Sequence, residues 1–106
     1  MSFNLDNIPS QKGKIAIVTG ANSGLGKEIT IGLAKKEIKV IMACRNKSKA
    51  ESAKAEVLSQ VNNADIEIML LNLNSLKSVR NFSTIFLEKY DRLDLLIENA
   101  GIMIPP

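Results

Sequence analysis

Residues 18–26 read VTGANSGLG, with glycines at 20, 24 and 26 and a threonine at 19. Their chemistry is that of a backbone that must come close to an anion. The first N–H groups of a helix have no partner inside it, and the helix dipole favours negative charge there. A side chain on the approach would hold a phosphate away. Gly20 turns the chain off a strand, Gly24 lets the backbone meet a phosphate, and Gly26 lets the helix pack close to the strand. The spacing G-x3-G-x-G differs from the G-x-G-x-x-G fingerprint, and the G-K-[ST] ending of a P-loop is missing. An apolar run precedes the turn and helical spacing follows it, so phosphate binding is expected over a plain glycine-rich turn.

A second position bears on the choice of anion. A fold that selects NAD places a carboxylate at the end of its second strand, roughly 20 residues after the glycines, to bond the ribose 2′-OH. Here the corresponding residue is Cys44 and the next is Arg45. An arginine pairs with a 2′-phosphate through charge-assisted bonds, and Lys47 and Lys49 add positive charge nearby. NADP(H) is therefore expected over NAD(H).

The elements that must hold these residues follow from the apolar pattern. Four short apolar runs, at 14–20, 39–44, 65–72 and 93–99, have the composition of buried parallel strands. Three amphipathic stretches alternate with them. Residues 24–37 place Leu25, Ile29, Gly32, Leu33 and Lys36 at helical spacing. Residues 46–61 put Ala50, Ala53, Val57 and Val61 on one face. Residues 75–90 turn Leu76, Val79, Ser83 and Phe86 inward, with Ser75 or Asn74 as N-cap. Alternation of this kind gives successive βαβ units and an α/β fold with a parallel sheet. Residues 1–13 read as a polar N-terminal arm and 14–106 as part of one such domain.

Composition removes several function classes. The 106-residue chain has a net charge of +3 from scattered lysines, and its aromatics are too few for base stacking, so no nucleic-acid partner is expected. There is no histidine and a single cysteine, Cys44, which excludes a Cys/His zinc site and an internal disulfide. No apolar stretch is long enough for a membrane span, and a reducing, cytoplasmic location is expected.

TGANSGLG resembles the TGxxxGxG cofactor motif of the short-chain dehydrogenases/reductases, and ENAG at 98–101 resembles their NNAG motif. The similarity runs from about residue 9 to the last residue. The stretches IPSQKGKIAIVTGANSGLG, VIMACRNKSKA and LNSLKSVRNF look closest to the retinol dehydrogenase and protochlorophyllide reductase branch. The resemblance implies a Rossmann-type doubly wound parallel sheet of order 3-2-1-4, ending here after the fourth strand. It implies that Thr19, Gly20, Asn22, Ser23, Gly24, Leu25 and Gly26 wrap the pyrophosphate, with Ser23 and Leu25 supplying side-chain and backbone donors. Arg45 would read the 2′-position, Asn72 and Leu73 would meet the adenine, and Asn99, Ala100 and Gly101 would lie against a ribose.

Two positions depart from the family pattern. Asn72 stands where the family commonly has an aspartate accepting from the adenine amino group, and Glu98 replaces the first asparagine of NNAG. Strand alternation leaves open which way Glu98 faces.

The resemblance also implies hydride transfer between a nicotinamide and a small-molecule carbonyl or alcohol. That chemistry uses a serine and a Tyr-x-x-x-Lys pair, in which the lysine lowers the tyrosine pKa. The single tyrosine, Tyr90, has Asp94 four residues on. No catalytic residue is therefore assigned, and the chain reads as the cofactor-binding portion of a longer reductase. The alternative is a non-catalytic nucleotide-binding or dimerising module. In either case strand four would form an apolar edge and promote self-association.

Overall fold

The computed structural model describes residues 12–98. Three helices begin with the same device, a side-chain oxygen that takes the N–H three residues ahead. Ser23 accepts from Gly26 N–H to open α1 (Gly24–Lys35), and Asn46 accepts from Lys49 N–H to open α2 (Lys47–Gln60). Ser75, rather than Asn74, accepts from Ser78 N–H to open α3 (Leu76–Lys89). Each such cap is worth about 1 kcal/mol.

The strands are β1 (Ile15–Thr19), β2 (Lys39–Cys44), β3 (Ile66–Leu70) and β4 (Leu95–Ile97). They form one parallel sheet in the order β3-β2-β1-β4, as expected. Register aligns Ile17 with Ile41 on one side and with Leu96 on the other, and Ile41 with Glu67. The fourth strand is shorter than the seven-residue run 93–99 expected from sequence: three residues pair with β1, and Asn99 lies outside the described residues.

Alternation along each strand feeds two cores. Ala16, Val18, Val40, Met42 and Ile66 face α1 and α2, meeting Ile31, Leu33, Ala34, Ala50, Ala53 and Val57. Ile15, Ile17, Ile41, Ala43, Met69 and Leu71 face the other way, onto Phe82 and Phe86 of α3. Ile41 and Met42 are fully buried on opposite faces, and truncating such a residue to alanine costs about 2–5 kcal/mol.

Two helix faces differ from the sequence expectation. In α1 the buried set is Gly26, Thr30, Ile31, Leu33 and Ala34, while Leu25 is 59 % exposed. The stripe is displaced because Gly26 and Thr30 are small enough to lie against the sheet, where Thr30 Oγ1 donates back to Gly26 O at 2.8 Å. In α3 the buried residues are Phe82 and Phe86, with Val79 half-buried. Leu76 and Ser83 are exposed, because two phenylalanines one turn apart fill the space over β1 and β3. The α2 face, Ala50, Ala53 and Val57 with Val61 half-buried, is as expected. Among the described residues, no helix is long and apolar enough to cross a membrane.

Candidate functional site

The C-terminal ends of β1, β2 and β3 open into a cleft of about 640 Å³. Ligands of open α/β sheets sit outside these strand ends. The cleft gathers Thr19, Gly20, Asn22, Arg45, Asn72 and Leu73 of the expected site residues. It adds Asn46, Lys49 and Asn74, which sequence reasoning did not assign as ligand contacts. Asn46 gave no signal beyond the helix-cap chemistry that it performs, and Asn74 enters the turn only through its backbone N–H, which donates to Asn72 Oδ1. Lys47 does not line the cleft, so the added positive charge comes from Lys49.

Gly20 has φ +61, a left-handed conformation that residues with a side chain rarely adopt. Its N–H donates to Ala43 O at 2.9 Å, which ties the turn to the end of β2. Its carbonyl accepts from Ser23 N–H at 3.0 Å and so closes a tight turn into α1. Gly24 has helical surroundings and open space: a Cβ built there meets no heavy atom within 4 Å. The fold of the described residues leaves the space beside Gly24 open to an approaching ligand.

At the start of α1, Ser23 itself consumes two of the first N–H groups. Its Oγ accepts from Gly26 N–H at 3.1 Å and its carbonyl from Lys27 N–H at 2.8 Å. The Ser23 hydroxyl oxygen thus caps the helix as an acceptor, and capping leaves its O–H able to donate. The N–H groups of Gly24 and Leu25 are the ones the first turn can offer to an anion. Leu25 contributes backbone only, its side chain pointing to solvent. Lys27 Nζ meets Glu56 at 2.6 Å and holds α1 against α2 beside the turn.

Across the cleft, Arg45 is exposed and Lys49 stands one turn into α2. No carboxylate is among the described residues that line the cleft. Cys44, where a carboxylate would select NAD, is 2 % exposed. Burial pushes its thiol pKa up, against weaker opposing backbone hydrogen bonds around Ala21 and Asn22. It is a packed thiol, held towards its neutral form.

A second, apolar cleft of about 440 Å³ lies on the α3 face, between Phe82, Leu87, Leu93 and Leu96. Glu98 lines this cleft and not the polar one. Thr19 stands between the two clefts, its Oγ1 donating to Ile97 O at 3.4 Å. Asn99, Ala100 and Gly101 lie outside the described residues.

Tyr90 is far from this chemistry. It caps the C-terminus of α3 and packs on Phe86, with ring centroids 5.2 Å apart. Its hydroxyl donates to Glu67, which also pairs with Lys89, and Lys39 Nζ lies 5.6 Å from its ring centroid. Lys39 begins β2, so this cluster sits at the opposite end of the sheet from the cleft. Burial and the bond to Glu67 raise the phenol pKa, the reverse of what a proton-transferring tyrosine needs.

Comparison with known proteins decides the family. The sequence model of the short chain dehydrogenases matches residues 14–106. The chain belongs to the short-chain dehydrogenase family. Dehydrogenase/reductase SDR family member 13 of Bos taurus is 44% identical over 95 residues, covering 90% of this chain and 25% of its own. Retinol dehydrogenase 12 of Mus musculus is 40% identical over 94 residues, covering 89% of this chain and 30% of its own. Among solved structures, menthone neomenthol reductase from Mentha piperita superposes with a TM-score of 0.78 at 31% identity, over 88% of this chain and 33% of that one. Pseudomonas aeruginosa RhlG, solved as an NADP active-site complex, gives 0.75 at 27% identity, over 85% of this chain and 35% of that one. The short-chain dehydrogenase chain described here thus spans about a quarter to a third of the length of these relatives. The retinol dehydrogenase likeness read from its motifs agrees with the relatives found.

Proposed function

We propose that this chain is the dinucleotide-binding portion of an NADP(H)-dependent oxidoreductase. Its hydride would pass between the nicotinamide and a small-molecule carbonyl or alcohol carbon. One observation carries the reading. Thr19, Gly20 and Asn22 on one side of the cleft, just before the start of α1, face Arg45 and Lys49 on the other, and the described lining holds no carboxylate. The pyrophosphate would rest on the Gly24 and Leu25 N–H groups, with Thr19, Gly20 and Asn22 beneath it. Arg45 would pair with the 2′-phosphate, and Asn72 and Leu73 would meet the base. Asn99, Ala100 and Gly101 are proposed against the remaining ribose. The cofactor, when bound, supplies the hydride, and the described residues bind and orient it. The NADP complex of a structural relative and the retinol dehydrogenases among the sequence relatives support the cofactor and the substrate class. The single packed thiol of Cys44 supports a reducing, cytoplasmic location.

The position of Tyr90 favours a second reading for the chain taken alone, a nucleotide-binding or self-associating module without turnover. Self-association would run through β4, whose Leu95 and Leu96 are 40% and 57% exposed. Calorimetric titration of the chain with NADP(H) and NAD(H) tests the first reading. Tighter binding of NADP(H) is the expected result, and equal or tighter binding of NAD(H) overturns the preference. NADPH oxidation against a panel of aldehydes and ketones checks the absence of turnover that both readings share for the chain alone. No turnover by residues 1–106 is expected.

A further inference from the structure

Asn72 sits at the outer end of the polar cleft with all of its backbone and half of its side chain committed. Its N–H donates to Ser78 Oγ at 2.8 Å, and its carbonyl accepts from Ser75 N–H at 3.0 Å. Its side-chain Oδ1 accepts from Asn74 N–H at 3.0 Å. A backbone N–H can only donate, so the oxygen branch of the amide must face Asn74. The Nδ2 branch, carrying two donors, takes the other side. An aspartate in this pose would keep one oxygen on Asn74 N–H and present the second oxygen, an acceptor, where Asn72 presents NH₂.

The order of groups along the cleft says what meets that NH₂. With a pyrophosphate at the start of α1 and a ribose 2′-group at Arg45, the base of a dinucleotide falls next, beside Asn72 and Leu73. Leu73 is 42% exposed and offers apolar surface to a purine ring without reading its edge. Of the two residues beside the base, Asn72 carries the polar side chain that can meet its edge. At the 6-position adenine shows an amino donor, and a 6-oxopurine shows a carbonyl acceptor. A donor facing a donor leaves both unpaired, whereas a donor facing the carbonyl forms a hydrogen bond.

We propose that Asn72 reverses the hydrogen-bonding sense of the base subsite, so that the chain takes the hypoxanthine dinucleotide at least as readily as the adenine one. The inference rests on the dinucleotide reading above. It concerns the base alone and holds whether or not the 2′-position carries a phosphate.

The test is calorimetric titration of the full chain with NADP and its hypoxanthine analogue, and with NAD and its hypoxanthine analogue. Each ratio compares the two base edges, amino against oxo at C6 with N1 gaining a hydrogen, while the rest of the dinucleotide is unchanged. The Asn72→Asp variant repeats the set, and it retains an acceptor for Asn74 N–H, so the turn is kept. The expected result is equal or tighter binding of the hypoxanthine form by the unmutated chain. The variant should shift the ratio towards adenine by roughly tenfold, the scale of one hydrogen bond. The ratio from the unmutated chain stands by itself if the variant fails to fold. A tenfold adenine preference in the unmutated chain overturns this inference while leaving the dinucleotide reading intact. Binding of none of the four ligands overturns both.

Discussion

Asp94 and Ile15 exchange two hydrogen bonds across the start of the sheet. The Asp94 carboxylate accepts from Ile15 N–H through Oδ2 at 2.8 Å, and Asp94 N–H donates to Ile15 O at 2.9 Å. Arg92 pairs with the same carboxylate. Only three residues of β4 pair with β1, so this side chain extends a short ladder by one bond. It also fixes the register that brings Ile97 O beside Thr19, next to the Gly20 turn.

The pair should make β4 sensitive to acid. Arg92 first, and the Ile15 N–H second, hold the Asp94 carboxyl below its ordinary pKa. A depressed carboxylate contributes stability that is present above the unfolded pKa, about 3.9, and is lost as pH falls through the lower folded value. Asp94→Ala is expected to destabilise the chain at pH 7, with the difference from the unmutated chain shrinking below pH 4. Denaturant melts at the two pH values check this, and a difference independent of pH would contradict it.

Arg45→Asp should weaken NADP(H) binding by on the order of 1.5–3 kcal/mol, the range of a charged hydrogen bond. Binding of NAD(H) should hold or improve, since a carboxylate at the end of β2 suits a free 2′-hydroxyl. Arg45 is exposed, so the melting temperature should not move. Paired titrations of both cofactors read the effect.

Gly24→Trp should abolish cofactor binding and leave the fold intact. A Cβ at this position meets nothing within 4 Å, so the indole projects into the space where a phosphate would approach. Unchanged circular dichroism with no measurable NADP(H) binding is expected. Retained binding would move the phosphate away from α1.

Glu37 has φ +66 just after α1, and Ile38 N–H returns to Leu33 O at 3.2 Å in a Schellman-type ending. A glycine there avoids the left-handed penalty of about 1 kcal/mol. Glu37→Gly should raise the melting temperature by several degrees, roughly 4–8 °C for a chain of this size.

Leu96→Lys should reduce self-association through β4. Leu96 is 57% exposed and lines the apolar cleft beside α3, so a lysine places charge on that open surface. Sedimentation of the two chains at matched concentration checks this. Association unchanged by the lysine would place the contact on another surface.

Much of the site was legible before any coordinates. The alternation of apolar runs and amphipathic stretches determined a parallel α/β sheet, because buried strands and half-buried helices leave different periods in the chain. The family motifs supplied the strand order. The spacing of Gly20, Gly24 and Gly26 determined where the turn would lie, and Gly20 takes the left-handed conformation that only its residue type adopts readily. The sequence also placed Arg45 and Asn72 at the ends of neighbouring strands, because strand lengths determine which residues emerge together.

Tertiary structure alone decided the rest, and the reason is that packing competes with local pattern. Leu25 and Leu76 fit their helical stripes yet are exposed, since Gly26 with Thr30 and Phe82 with Phe86 take the contact surface instead. Ser23 carries both a donor and acceptors, and only the fold shows that its oxygen accepts from Gly26 N–H as a helix cap. Strand alternation could have put Glu98 at either cleft, and the fold puts it at the apolar one. The amide of Asn72 has two chemically opposite edges, and only the turn to Asn74 N–H fixes which one remains for a ligand. A sequence names the donors and acceptors a residue carries. The fold determines which of them are already spent.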